Sequence, residues 1–273
     1  MSSKNPLSPS AESPASQPIL LRHDEAGVTT LTLNRPGQFN SLSEELLAEL
    51  QAALDALAGD SQVRVVVIAG AGKAFCAGHD LKQMRANHSK AYMQKLFRQC
   101  GRVMQRICEI PQPVIARVHG IATAAGCQLV AACDLAVAAE VAKFAVSGIN
   151  VGLFCSTPAV ALARNMGRKP AMEMLLTGDF IDAAEAMRRG LVNRTVPLDQ
   201  LDAEVKKLSD SICAKSSVAV AMGKQMFYQQ LEMGLAGAYQ LASETMACNM
   251  MAADAGEGID AFMQKRKPNW KGR

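Results

Sequence analysis

In the first half of the chain, short apolar runs alternate with longer stretches in which apolar residues recur every three or four positions. VTTLTLN, residues 28–34, carries Thr29, Leu31 and Leu33 and runs into a turn containing Pro36 and Gly37, which predicts a short strand. Ser41 followed by Glu44 reads as a capping box, and Leu46, Leu47, Leu50, Leu54 and Leu57 form the inner stripe of a helix ending near Gly59. VRVVVIAG, residues 63–70, is an almost unbroken β-branched run, as expected of a strand covered on both faces. A Gly-rich loop follows, then a helix in which Met93, Phe97, Cys100, Met104 and Ile107 recur at helical spacing. PVIARVHG is the next strand, AGCQLVAAC a short helix and DLAVAAE another strand. This rhythm predicts an α/β layered core with parallel strands.

From residue 157 the pattern turns helical. Thr157 before Pro158 starts one helix, Asp182 with Glu185 starts another that Gly190 stops, and residues 198–266 are nearly all helical in period. The opening segment, MSSKNPLSPSAESPASQP, is rich in Ser and Pro with little to bury, so residues 1–18 are expected to be a disordered leader. The division is then an α/β core over 19–197 and a helical region over 198–273. No low-complexity linker separates them, and no internal repeat shows at the residue level.

Composition narrows the function. With 273 residues, 49% of them hydrophobic, the chain can bury a substantial core. Its formal charge of +4 is spread without a dense basic block and only 4% of residues are aromatic, which argues against nucleic acid as a partner. The 8 cysteines show no CxxC pair and no His at zinc-ligand spacing, so they read as buried thiols of a reducing compartment. No apolar run is long enough to span a bilayer, and the N-terminus has neither a secretory core nor an Arg-rich transit pattern. The expected location is cytoplasmic.

Two loops rich in Gly and Ala follow strands: AGAGKAFCAGHDLKQM, residues 69–84, and HGIATAAGCQL, residues 119–129. Ligands of layered α/β folds gather at the carboxyl ends of strands, so both loops are candidates for one site. The first is not a nucleotide loop: Lys73 is followed by Ala74 with Val67 at the earlier Gly position, and Phe75 occupies the third position of a GxGxxG pattern. What remains is a pair of backbone N–H groups without bulky neighbours, the requirement of an oxyanion hole. Close-packed turns that need Gly for steric reasons account for the same composition.

FCAGHDLKQM, HGIATAAGCQL, CDLAVA, AMEMLLTGDFIDAAEAMRRGLV and FMQKRKPNW, in that order and spacing, resemble the crotonase (enoyl-CoA hydratase/isomerase) family over roughly residues 19–270. The resemblance implies a crotonase-type spiral of ββα units, with a C-terminal helical oligomerisation region that completes a homotrimer, often paired into a hexamer. It further implies acyl-CoA thioester substrates and no metal or redox cofactor. The family's oxyanion donors fall on the backbone N–H groups of His79 and Ala125, a position where many members have Gly. Lys82 and Lys265 match lysines that contact the phosphates of CoA, the second often across a subunit boundary. Ala77 matches a backbone contact to the adenine, and Phe262 an apolar contact in the same region.

The chemistry departs from that pattern. Family hydratases hold water and move a proton with two glutamates, and the matching positions here are Gln128 and Gly148. Gln128 can orient a group by hydrogen bonds but cannot act as a general base. Cys155 falls where family dehalogenases carry a nucleophilic Asp, so it reads either as a nucleophile or as buried packing. The His79 imidazole is a candidate base, and Ser147 and Asn150 are polar groups near the lost glutamate. The expected function is an acyl-CoA thioester enzyme that stabilises an enolate through its oxyanion hole, with two-glutamate hydration weak or absent. The alternatives are a catalytically silent acyl-CoA-binding or scaffolding subunit, and decarboxylation or Cys155-dependent hydrolysis of an acyl-CoA.

Overall fold

The structure, a computed structural model, describes residues 17–273. The expected leader, apart from Gln17 and Pro18, lies outside the described residues. In chain order the elements are β1 (Leu20–Glu25), β2 (Val28–Leu33), α1 (Glu44–Ala58), β3 (Val65–Gly70), β4 (Ala74–Cys76), α2 (Leu81–Ala86), α3 (Lys90–Glu109), β5 (Val114–Val118) and β6 (Ile121–Thr123). There follow α4 (Ala125–Ala132), β7 (Leu135–Ala139), β8 (Lys143–Ala145), α5 (Ser156–Asn165), α6 (Arg168–Thr177), β9 (Ile181–Asp182), α7 (Ala183–Arg188) and β10 (Arg194–Val196). Helices α8 (Leu201–Cys213), α9 (Ser217–Gln230), α10 (Leu235–Met250) and α11 (Ala253–Met263) complete the chain.

The strands form a 6-stranded sheet in the order β1-β2-β3-β5-β7-β10 and a 4-stranded sheet in the order β4-β6-β8-β9. β3, β5 and β7 each enter the larger sheet, and the strand after each, β4, β6 or β8, enters the smaller one before a helix returns the chain. This is the spiral of ββα turns that the resemblance implied. The first turn contributes a single residue where later turns contribute a strand: the Leu42 N–H donates to Gly78 at 2.7 Å, and the Leu42 carbonyl accepts from Asp80 at 3.2 Å. The larger sheet is parallel from β2 to β10, with β1 added as an antiparallel edge.

Both faces of that sheet are covered, which accounts for the β-branched run of β3. Val66 and Ile68 face the main core with α1, α3 and α4, while Val65 and Val67 pack with Ile115, Val137, Leu201 and Val205 beneath α8. The leucine stripe of α1 is buried as its period predicts, but its cap is Ser43 rather than Ser41: the Ser43 hydroxyl accepts from the Leu46 N–H at 3.3 Å. Helix α5 likewise starts at Ser156, with Cys155 as its N-cap, ahead of the expected Thr157. Asp182 caps α7 through the Glu185 N–H at 2.7 Å, and Gly190, at φ +88°, ends that unit as expected.

Helix α8 reaches the core through apolar packing, and α9 is tied to it by a buried cation. Lys224 of α9 donates to the carbonyls of Ile107 and Gln112 at 2.7 and 2.8 Å and pairs with Asp134 at 2.7 Å. The Asp134 carboxylate also accepts from the Tyr228 hydroxyl and the Val114 N–H. The two charged side chains are 7% and 14% exposed, so deleting one strands the other in a poorly solvated place. Lys224→Met is expected to lower the free energy of unfolding by about 3–5 kcal/mol. Adding Asp134→Asn should restore part of the loss, as read by urea denaturation.

Candidate active site

The first site loop is held from below. Asn40, buried and in the left-handed region at φ +55°, donates to the carbonyls of Ala71 and Ala74, each at 2.8 Å, and accepts from the Arg35 N–H at 2.9 Å. Arg35 in turn pairs with Asp80 at 2.9 Å, and Asp80 caps α2 through the N–H groups of Lys82 and Gln83. Burial pushes the Asp80 carboxyl up, and the Arg35 guanidinium and the two capping amides outweigh it, leaving the group below its ordinary value. The turn Ala77–Asp80 is thereby clamped at both ends.

Gly78, at φ +91°, then lies against the start of α4. A Cβ placed there would meet the Ala124 methyl at 2.8 Å and the Ala125 nitrogen at 3.2 Å. Gly126 is pressed onto the Cys76 carbonyl with no room for a side chain. The small residues at the entry to α4 thus serve close packing between the two loops as well as leaving Ala125 open. Ala124 holds φ +50° and ψ −121°, a conformation that costs a non-Gly residue about 1–3 kcal/mol, and its N–H donates to Ala145 at 3.0 Å. Among the described residues, neither the His79 N–H nor the Ala125 N–H meets a backbone acceptor.

Both residues line one cavity of about 310 Å³, with Ala77, Leu81, Met84, Phe97, Val151, Leu153 and Phe154 forming most of its apolar wall. Ser147, Gly148, Cys155, Ser156, Thr157 and Pro158 close the side formed by the start of α5. No Asp, Glu, Lys or Arg is among the lining residues. The His79 ring stacks edge-on against Phe97, with centroids 5.4 Å apart, and both its nitrogens are buried without a hydrogen-bond partner. Burial pushes its imidazole down to about 4, so the ring is neutral at physiological pH. Burial likewise pushes the Cys155 thiol up, against the Gly148 amide, and its Sγ donates to the Val146 carbonyl at 3.5 Å. Neither group is poised as a base or nucleophile near neutral pH.

The expected site residues divide into two groups. His79, Ala125, Gly148, Cys155, Ser147 and Ala77 converge on the cavity. Gln128 does not line it: every residue of α4 is buried, and the Gln128 Oε1 is enclosed without a partner. Asn150 faces Gly178 instead, and Ser147 is engaged by the Thr123 hydroxyl at 2.8 Å. Lys82 is exposed on α2 beside Leu81, whereas Phe262 and Lys265 do not line the cavity of their own chain. Sequence reasoning missed the apolar wall. Phe97 carried a signal as part of a helical stripe, and Val151, Leu153 and Phe154 carried none.

Spiral ββα turns with two unbonded amides at the mouths of adjacent loops define a crotonase-type protein. The enoyl-CoA hydratase/isomerase family model matches residues 23–273, and the chain belongs to that family. The family works on coenzyme A thioesters without a separate cofactor. Among solved structures, an enoyl-CoA hydratase from Mycobacterium smegmatis is 60% identical with a TM-score of 0.92, covering 93% of this chain and 99% of that one. Human enoyl Coenzyme A hydratase domain-containing protein 3 is 43% identical with a TM-score of 0.90, covering 93% and 100%. A Xenopus laevis relative named "Enoyl-CoA hydratase domain-containing protein 3, mitochondrial" is 45% identical over 253 residues, 93% of this chain and 86% of its own.

The cytoplasmic expectation is corrected by these relatives, since the frog, rat, mouse and human proteins are all named mitochondrial. Buried thiols report a reducing environment, which does not single out the cytoplasm, and a targeting address is read by a receptor rather than written in the fold. Among the described residues no helix is long and apolar enough to cross a membrane.

At Gly148, the expected match of the second glutamate, the chain has no room for a side chain. A Cβ on Gly148 would meet the Leu153 carbonyl oxygen at 2.6 Å and the Cys155 Sγ at 2.7 Å. Gly148→Ala is therefore expected to destabilise by about 1–3 kcal/mol through overpacking, visible as a lowered Tm. Introducing glutamates at both 128 and 148 is expected to yield no hydratase, because the segment from Leu153 to Cys155 occupies the space; crotonyl-CoA turnover by a folded double variant would contradict this.

Proposed function

We propose that the chain binds an acyl-CoA thioester with the carbonyl oxygen between the N–H groups of His79 and Ala125, and that this pair stabilises negative charge on the oxygen as an enolate forms. The observation that carries the reading is that both amides lack a backbone acceptor and flank one apolar cavity. Ala125 also opens α4, where the helix dipole adds to the attraction. Lys82, exposed beside the Leu81 that lines the cavity, would meet a CoA phosphate, and Ala77 the adenine. Gln128 and Gly148 leave the site without the two carboxylates, so crotonyl-CoA hydration should be weak or absent. Turnover matching that of a two-glutamate hydratase assayed alongside would overturn the reading.

The amide pair has its own test. Proline at the first position of α4, where Ala125 stands, takes away the N–H but also adds ring carbon beside Gly78 and restricts Ala124, so the fold of the variant is checked by circular dichroism. With a 13C-labelled thioester carbonyl bound to the wild type, the stretching frequency should fall relative to solution, and Ala125→Pro should return most of the shift. Any turnover should drop about a hundredfold to a thousandfold. An unshifted carbonyl in the wild type would remove the proposal.

A catalytically silent acyl-CoA-binding subunit is the second reading, favoured by the absence of any lining acid or base poised near neutral pH. A panel of enoyl-, hydroxyacyl- and malonyl-CoA esters separates the two. The binder returns every ester unchanged. The enzyme converts at least one, for example by loss of CO2 from a malonyl-type ester, its electron pair passing to the amide-held enolate and water supplying the proton.

The helical region is proposed to assemble copies of the chain into a trimer or a dimer of trimers. Leu235, Tyr239 and Met246 are exposed apolar residues of α10, and Phe262 on α11 is 85% exposed. In such an assembly Phe262 and Lys265 would reach a neighbouring copy's CoA. Light scattering should give a multiple of three chain masses, and Leu235→Asp with Met246→Asp should lower it.

A further inference from the structure

Every polar side chain in the cavity wall except one already has a hydrogen-bond partner or is hidden. The Ser147 and Thr123 hydroxyls hold each other, the Cys155 thiol donates to Val146, and the Ser156 hydroxyl donates to the Phe154 carbonyl at 3.4 Å. The His79 ring lines the cavity while both its nitrogens are buried, so what it presents is carbon. The exception is the Thr157 hydroxyl on the first turn of α5. An acyl group entering here meets methylene, methyl and aromatic carbon almost throughout, and a charged or heavily oxygenated one would lose hydration without recovering it.

The apolar surface does not stop at the cavity. Leu81, Val151, Leu153 and Phe154 all line it, yet they remain 58%, 67%, 43% and 39% exposed. They are presented by a built turn: Gly152 sits at φ +78° with its N–H on Ile149 at 3.0 Å, and the Leu153 N–H bonds Gly148 at 2.9 Å. The cavity, of about 310 Å³, opens onto this rim, so a long chain that fills it continues over these side chains. Apolar carbon continuous from an enclosed space to an exposed edge marks a ligand that occupies both.

Resting on the acyl-CoA reading above, we infer that the site takes long, unsubstituted acyl chains, the part next to the thioester filling the cavity and the remainder lying across Leu81, Val151, Leu153 and Phe154.

The experiment is a calorimetric titration of the full chain with saturated acyl-CoA esters of 4, 8, 12 and 16 carbons, each below its micelle-forming concentration. Affinity should keep rising past 8 carbons, by up to about fourfold per added methylene where burial is complete. A 6-carbon ester, short enough to keep its end inside the cavity, should bind at least tenfold more weakly when that end is a carboxylate. Val151→Ser with Phe154→Ser should cut the gain from 8 to 16 carbons more than the gain from 4 to 8, since both side chains line the cavity and extend onto its exposed rim. A wild-type plateau at 8 carbons, equal binding of the carboxylated ester, or an unchanged slope in the variant would overturn the inference. So would a variant that changes oligomeric mass and not slope, which would make the rim an interface between copies. If no ester binds better than free CoA, the thioester reading itself fails and takes this inference with it.

Discussion

The site depends on the contact between the Gly78 turn and the start of α4. Two strands of the smaller sheet, β4 and β6, run parallel and deliver these loops side by side, and only the missing side chain at Gly78 lets the Ala125 nitrogen come as close as it does. Everything around that contact restrains it: the Arg35–Asp80 pair and Asn40 on one side, and the strained Ala124 with its bond to Ala145 on the other. Backbone amides held in this way need no reorganisation when charge develops on a ligand oxygen, which is where preorganised donors gain over water.

Much of the architecture was legible because long elements carry long periods. The leucine stripe of α1, the two-sided run of β3 and the caps of α7 could be read to within a residue or two. The smaller sheet could not, since β4, β6, β8 and β9 span two or three residues each, too few to show alternation. The ββα repeat is therefore a repeat of geometry with no matching repeat of letters. Strand β1 escaped for a different reason: it is an edge strand exposed along most of its length, so no hydrophobic pattern marks it.

The site was legible in part. The positions of His79 and Ala125 came through resemblance, and their convergence on one cavity follows from the fold. Gln128 shows the limit of such reading. Because every residue of α4 is buried, no polar face distinguishes cavity from core, and the carboxamide oxygen ends up enclosed rather than presented. The apolar wall was invisible because loop residues such as Val151 and Phe154 belong to no periodic element. Likewise, nothing in the spelling of His79 foretells an imidazole kept neutral by burial against Phe97.

Gly148 bears on how such a site could change over time. With Leu153 and Cys155 packed over its α-carbon, an acid cannot be introduced there by one substitution; the neighbouring turn must be rebuilt in the same step. Each intermediate along that route would carry a steric clash before gaining any proton-transfer ability. The packing therefore acts as a ratchet: substitutions that keep it leave position 148 without a side chain.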